Sequence, residues 1–342
     1  MIQGIIARLL ERTDLTEDES ASAMTWVMEG QATPAQIAAL LVALRMKGET
    51  PEEITGFARV MRDKAVPLKP QRRPLADTCG TGGDRVKTFN VSTAAAFVVA
   101  GVGVAVAKHG NRSVTSKCGS ADVLEALEVA IEMEPADVAR CIDEVGIGFM
   151  FAPRFHPAMK HAAPVRRELG ARTVFNLLGP LTNPARATAQ VVGVPGPQWA
   201  APLAQVLAKL GVNRAFVVHG ACGVDEISIS SETLIHEVCD GAIREYSIAP
   251  EDFAMRRAEP EAVSGGGAAE NARTLLCILE GEPGPKRDIV LLNAAAAIVA
   301  ADKAADLAQG IEVAAEAIDS GAALARLKQL QAFSAERKSA PQ

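Results

Sequence analysis

Glycine fills three of the four positions from 80 to 83 in the run Asp77-Thr-Cys-Gly80-Thr81-Gly82-Gly83-Asp84, directly after a short apolar stretch. Such a turn can bring several backbone N–H groups against a phosphate oxygen, because glycine takes φ values closed to other residues. No Gly-Lys-Ser/Thr closes the loop and Arg85 breaks a G-x-G-x-x-G pattern, so a plain tight turn is the competing reading. Asn90-Val91-Ser92-Thr93 then opens a helical segment, where amide and hydroxyl groups beside free N–H donors make either ordinary caps or an anion site. Lys108-His109-Gly110-Asn111-Arg112-Ser113 follows an apolar strand, the end at which open α/β sheets place their ligands. Two cations, an imidazole and an amide within six residues suit an acidic substrate better than a solvated loop. Ser116-Lys117-Cys118-Gly119-Ser120-Ala121-Asp122 is a second hydroxyl-rich helix start, with capping by Ser120 or Asp122 as its plain reading. Finally, Asp225-Glu226 follows the strand 214–219 and offers hard oxygen donors suited to Mg²⁺, against the commoner reading of a solvated acidic loop.

Other chemistries are poorly served. His156 and His161 are five residues apart and so leave one helical face, and no His or Cys has zinc-ligand spacing. There is no G-x-S-x-G, and nothing in the pattern pairs Cys79 or Cys118 with a base. The six cysteines are scattered through 342 residues and read as reduced thiols of a cytoplasmic protein. A net charge of −6 provides no basic field for nucleic acid, so any phosphate must be held by a local site. The N-terminal MIQGIIARLL reaches Glu11 and Arg12 too early for a secretory core, and the apolar stretch 91–107 is too short and interrupted to span a membrane.

The elements that must position these residues fall into two kinds. Over the first seventy residues, Thr16 with Glu19, Thr33 with Gln36 and Thr50 with Glu53 have capping-box spacing, and Pro34 and Pro51 take the first helical position. Ile37, Leu40, Leu41 and Leu44 form one apolar stripe, and Ile54, Phe57 and Met61 another. After the linker 66–74, strands are expected near 75–78, 102–107, 147–151, 189–194 and 214–219, alternating with helices at 91–100, 120–130, 135–145 and 198–210. That alternation implies a largely parallel sheet covered on both faces. Residues 233–248 alternate as a hairpin about Asp240-Gly241, and helices return at 267–280, 286–301, 304–319 and 321–333. The fold class is α/β, a small mainly helical domain plus a large α/β domain with a mostly parallel sheet covered by helices. Residues 1–70 supply the N-terminal part of the small domain, completed by later helical material, and 71–342 the large one.

Taken in order, DTCGTGGD, NVSTA, KHGNRS, SKCGSADVLEAL, VRRELGARTVFNLLGPLTNPA and VDEIS resemble the anthranilate phosphoribosyltransferase family over about residues 1–335. The resemblance implies the class III phosphoribosyltransferase fold, a homodimer through the helical domain, and a part in tryptophan biosynthesis. It makes Gly80, Gly83, Asp84, Thr88, Asn90, Val91, Ser92, Thr93, the run Lys108, His109, Gly110, Asn111, Arg112, Ser113, Val114, Thr115 and Ser116, and Ser120 the contacts to 5-phosphoribosyl 1-diphosphate. Ser92, Asp225 and Glu226 would hold Mg²⁺, two ions per active site, while Gly80, His109, Asn111 and Arg166 would receive anthranilate. Arg166 suits a substrate carboxylate because guanidinium offers a planar fork, and Arg167 is the competing assignment. Arg85, Lys87 and Cys222 depart from the family's usual residues at those places.

The implied reaction is attack of anthranilate's amine on C1 of the ribose as pyrophosphate leaves, with no residue standing out as a general base. A pyrimidine-nucleoside phosphorylase of the same fold is the nearest alternative, disfavoured by GNRS and GSADVLEAL. A non-catalytic nucleic-acid-binding relative is the other, disfavoured by the negative net charge.

Overall fold

The computed structural model describes residues 2–83, 86–113 and 117–338. Helices α1 (Ile2–Leu10), α2 (Glu17–Met28), α3 (Pro34–Lys47) and α4 (Pro51–Lys64) come first. All three capping boxes form, each Thr hydroxyl accepting from the backbone N–H three residues on while the Glu or Gln reaches back.

Among the described residues seven strands follow in one sheet: β1 (Leu75–Gly80), β2 (Ala105–Gly110), β3 (Ile147–Phe151), β4 (Ala189–Gly193), β5 (Arg214–Gly220), β6 (Thr233–Cys239) and β7 (Ala242–Ile248). Their order is β3-β2-β1-β4-β5-β6-β7. The pairs from β3 through β5 are parallel, and β6 and β7 extend the sheet antiparallel. The chain therefore winds outward from β1 to β3 and restarts on the other side with β4, which makes the β1/β4 boundary the topological switch point. In the β6–β7 hairpin Asp240 and Gly241 have φ of 47° and 83°, the two positive values a type I′ turn demands.

One strand lies three residues later than its apolar run suggests. Helix α5 (Val91–Gly101) continues further than expected and Gly103, at φ 96°, turns the chain, so β2 begins at Ala105. Lys108 and His109 consequently stand inside the sheet, not in a loop beyond it. The helices α6 (Ser120–Ala126), α7 (Pro135–Glu144), α8 (Ala152–Phe155), α9 (Ala163–Leu169), α10 (Phe175–Leu178), α11 (Ala200–Lys209), α12 (Ala268–Leu279), α13 (Pro285–Ala300), α14 (Leu307–Asp319) and α15 (Ala322–Lys338) complete the order. The three short helices α8 to α10 carry no periodic apolar stripe long enough to read from sequence.

Strands β4 and β5 alternate between two cores, as a period of two requires. Val191, Phe216 and Val218 face the core built on α5 and α12 to α15. Val192, Ala215 and Val217 face the other, which holds the N-terminal helices through Leu40, Leu44, Ile54 and Phe57 together with Val165, Phe175 and Leu203. The later helices that share this core with the N-terminal ones are α9 to α11, not the C-terminal helices. Across this junction Arg62 of α4 donates from Nε to Leu181 O at 2.6 Å and from Nη1 to Leu210 O at 3.4 Å. Among the described residues it has no carboxylate at bonding distance, and burial pulls its pKa down to about 10. Arg62→Ala leaves both carbonyls without their donor and should lower the urea unfolding free energy by about 2–4 kcal/mol. Among the described residues no helix is long and apolar enough to cross a membrane.

Candidate active site

The glycine loop leaves the C-terminal end of β1 at the switch point, and its backbone is tied to the neighbouring strand and turn. Thr81 N donates to Gly193 O at 2.9 Å, and Gly82 N donates to Asp225 Oδ2 at 3.1 Å. A side chain at Gly80 would begin 2.6 Å from Asp225 Oδ2, and one at Gly193 would run into the Asp225 backbone. Small residues at both strand ends are what let the carboxylate turn close on the loop. Asp225 and Glu226 are each 8% exposed, so the reading of a solvated acidic loop fails. Asn293 of α13 holds the turn from behind, accepting from Ile227 N and donating to Ile227 O, both at 2.9 Å.

Behind the loop lie two buried ionisable side chains, Lys108 and Asp77. Lys108 Nζ donates to Thr78 O at 2.5 Å and lies 3.5 Å from Ser92 Oγ, while Thr78 Oγ1 donates to Ser92 O at 2.7 Å. These bonds bring Lys108 and Ser92 together at the end of β1. Burial lowers the Lys108 pKa, opposed by the charges of Asp77 and Glu226. Asp77 is fully buried and accepts from His109 N at 3.3 Å and Asn183 Nδ2 at 2.7 Å. Burial raises its carboxyl to about 6. Neither Asp77 nor Asn183 drew a role from sequence, although an acid inside an apolar strand was the available signal.

The remaining residues expected to contact the donor are distributed unevenly. Thr88 bridges to Ser264. Asn90 precedes α5 without capping it; its side chain donates to Cys118 O at 3.3 Å and accepts from Asn271 Nδ2 at 2.9 Å. The amide therefore joins the starts of α5, α6 and α12. Val91 is buried, and Thr93 Oγ1 is buried without a partner among the described residues. Beyond β2, Asn111 O accepts from Ala121 N at 3.2 Å and Ser120 Oγ at 3.4 Å, and Asp122 accepts from Ser113 N and Gly119 N at 3.0 and 2.7 Å. Asp122, not Ser120, is thus the capping group at α6. Gly110 lets this segment approach, since a side chain there would strike Ser120 Oγ and Phe149. Arg112 is exposed and pairs with Glu125 and Asp122, which turns it toward α6. Asp84, Val114, Thr115 and Ser116 lie outside the described residues.

Among the residues expected to receive the acceptor, His109 Nδ1 is 3.2 Å from Gly179 O, and its ring centroid is 5.0 Å from that of His156. Both Nε2 atoms are buried without a partner among the described residues. Arg166 is half-buried at the end of α9 with its guanidinium 4.9 Å from the Phe175 ring, and among the described residues no carboxylate pairs with it. Arg167 is exposed, which separates the two candidates.

Burial and mutual repulsion lower His109 to about 3, and burial lowers His156 to about 4. An unfolded imidazole takes up a proton below about pH 6.5, so stability is full above that value and is lost as pH falls toward the folded values. Asp77 acts oppositely: the folded chain keeps its proton between the unfolded value of about 4 and about 6, and acidification there restores stability. With two imidazoles against one carboxylate, the net loss should be about 1 kcal/mol per pH unit from pH 6 to 4. Urea midpoints against pH read this slope, and His156→Gln should nearly flatten it; an unchanged slope would take the imidazoles out of the account.

The donor set at 225–226 fits Mg²⁺. It offers two hard carboxylates, that of Asp225 accepting from Gly82 N, and among the described residues no third His, Cys, Asp or Glu joins them into a metal cage. An ion there keeps positions for water or phosphate oxygens, as Mg²⁺ prefers. Burial pushes the Cys79 thiol well above its ordinary pKa and Cys118 up to about 11, which disfavours a thiolate at either position.

Comparison with known proteins agrees with this geometry. Residues 72–324 match the α/β domain, and 3–65 the helical bundle domain, of a glycosyl transferase family. Anthranilate phosphoribosyltransferase of Symbiobacterium thermophilum is 57% identical over 97% of each chain, and that of Thermomicrobium roseum 54% identical over 98% of this chain and 97% of its own. The crystal structure of anthranilate phosphoribosyltransferase from Thermus thermophilus superposes with a TM-score of 0.92 at 48% identity, covering 96% of this chain and 99% of its own. The Saccharomyces cerevisiae enzyme in complex with PRPP and Mg gives 0.90 at 27% identity over 98% of each chain. None of these relatives favours the phosphorylase or nucleic-acid-binding alternative. With its helical bundle, its mostly parallel sheet and its glycine loop closed by a carboxylate turn, the chain belongs to the anthranilate phosphoribosyltransferase family.

Proposed function

We propose that the chain transfers the 5-phosphoribosyl group from 5-phosphoribosyl 1-diphosphate to the amine of anthranilate, releasing pyrophosphate, in tryptophan biosynthesis. The observation that carries the reading is the closure of the Asp225–Glu226 turn on the glycine loop, with Lys108 and Ser92 at the same strand end. Gly80, Gly83, Asp84, Thr88, Asn90 to Thr93, Lys108 to Ser116 and Ser120 form the donor site, with Arg112 contributing only if it leaves Glu125. Asp225, Glu226 and Ser92 would hold Mg²⁺, two ions per site, which when bound neutralises the charge of the leaving pyrophosphate. Arg166 takes the anthranilate carboxylate, with Asn111, His109 and Gly80 along its path.

The nitrogen lone pair forms the C1–N bond as the C1–O bond breaks, and that bond's electron pair leaves on pyrophosphate, which then takes the amine proton. His109 is a poor proton acceptor at a pKa of about 3, so alignment and charge neutralisation do the work in place of a general base. Two further readings accompany this one. Leu10, Val42 and Met46 are 71%, 46% and 70% exposed on α1 and α3, an apolar face that supports a homodimer through the helical unit. The domain boundary falls within the 66–74 linker, and the enzyme works in the cytoplasm.

Purified protein mixed with anthranilate, 5-phosphoribosyl 1-diphosphate and Mg²⁺ should quench anthranilate fluorescence only when all three are present. Loss that ignores the omission of anthranilate's partner, or no loss at all from folded protein, would overturn the reading.

A further inference from the structure

The segment joining α9 to α10 places a second guanidinium, besides Arg166, against the site. Gly170 ends α9 in the left-handed region at φ 60°, and Thr173 N donates to Asn176 Oδ1 at 2.9 Å to begin α10. Arg172 is held between these two fixed points. Its guanidinium fills the space a side chain at Gly83 would occupy, so it lies directly over the glycine loop. Among the described residues no carboxylate lies within ion-pair distance of it, although the charge of Asp225 favours its protonated form and Arg45 of α3 opposes it. A half-buried guanidinium beside a backbone loop rich in N–H groups, lacking an anion among those residues and flanked by a second Arg from the helical unit, is a place for a polyanion.

We propose that Arg172 is a catalytic residue that binds the pyrophosphate moiety of the donor and neutralises its charge as the C1–O bond breaks and the electron pair leaves with it. The assignment to pyrophosphate follows from position: Arg172 covers Gly83, three residues beyond Gly80, on the loop that Asp225 closes. The α9–α10 segment then serves both reactants, with Arg166 on the acceptor and Arg172 on the leaving group six residues later. This assignment rests on the reaction proposed above.

The test compares wild type with Arg172→Ala and Arg172→Lys. Arg172→Ala should weaken pyrophosphate–Mg²⁺ binding, measured by calorimetry, by about tenfold or more, the size of one charge-assisted hydrogen bond. kcat/KM for 5-phosphoribosyl 1-diphosphate should fall by at least as much, KM for anthranilate should stay within about twofold, and Arg172→Lys should recover part of the loss because it keeps the charge without the fork. Equal pyrophosphate affinity in wild type and Arg172→Ala would overturn the proposal, as would an effect confined to anthranilate. Calorimetry does not depend on the acceptor. A wild type that binds pyrophosphate but fails to use anthranilate would overturn the acceptor reading, while a tenfold loss of pyrophosphate affinity in Arg172→Ala would still support Arg172.

Discussion

Asp225→Asn is expected to cost about 10³-fold in kcat/KM for 5-phosphoribosyl 1-diphosphate at an Mg²⁺ concentration that half-saturates the wild type, and less when Mg²⁺ is raised. The substitution isolates charge from shape. Asn keeps an oxygen that accepts from Gly82 N, so the loop retains its tie to the turn, and the side chain is nearly isosteric with the one it replaces. What disappears is the negative charge proposed to hold the metal and, through it, the pyrophosphate. Glu226→Gln is expected to act in the same direction and to weaken the field that favours protonated Lys108. Rate measurements over an Mg²⁺ titration give the result directly, and an unchanged Mg²⁺ midpoint would remove Asp225 from the metal site.

Arg166→Ala should raise KM for anthranilate by about 10²-fold while changing the donor KM little, since a charge-assisted, two-point contact to a carboxylate is worth about 1.5–3 kcal/mol. The side chain is well placed for such selectivity: it is half-buried, packs on Phe175 and has no carboxylate partner among the described residues, so its charge awaits a ligand. Exposed Arg167 provides the internal control, and Arg167→Ala should shift either KM by less than about twofold. Steady-state kinetics with each substrate varied in turn separates the two residues. Equal rises in both KM values for Arg166→Ala would move it from the acceptor to a general structural role.

Much of this architecture is legible in the sequence because the local signals agree with the final fold. The capping boxes at Thr16, Thr33 and Thr50 form as read, and the Asp240-Gly241 turn and, β2 apart, the parallel strands lie where apolar runs and glycines indicate. What escapes is whatever depends on long-range packing. Lys108 looks like the first residue of a loop, and only the later start of β2 shows that it is buried in the sheet beside Asp77. Asn90 has the composition of a cap, yet its amide is taken by Cys118 and by Asn271, a partner 181 residues away. Asn293 and Arg172 carry no local motif; their importance lies in what they touch across the fold. The pair Asp225-Glu226 reads more commonly as solvent-facing until Gly80 and Gly193 are seen to admit it.

The sharing of one core between the first four helices and residues more than a hundred positions downstream has a consequence for biosynthesis. Leu40, Leu44, Ile54 and Phe57 leave the ribosome well before Val165, Phe175, Val192 and Val217, the side chains that finally cover them. At about 5–20 residues per second, that interval is roughly ten to thirty seconds. Throughout it the nascent chain presents an incompletely covered apolar surface, a natural target for a ribosome-associated chaperone. A truncation or fusion that separates the helical segment from residues 162–217 would make that transient exposure permanent.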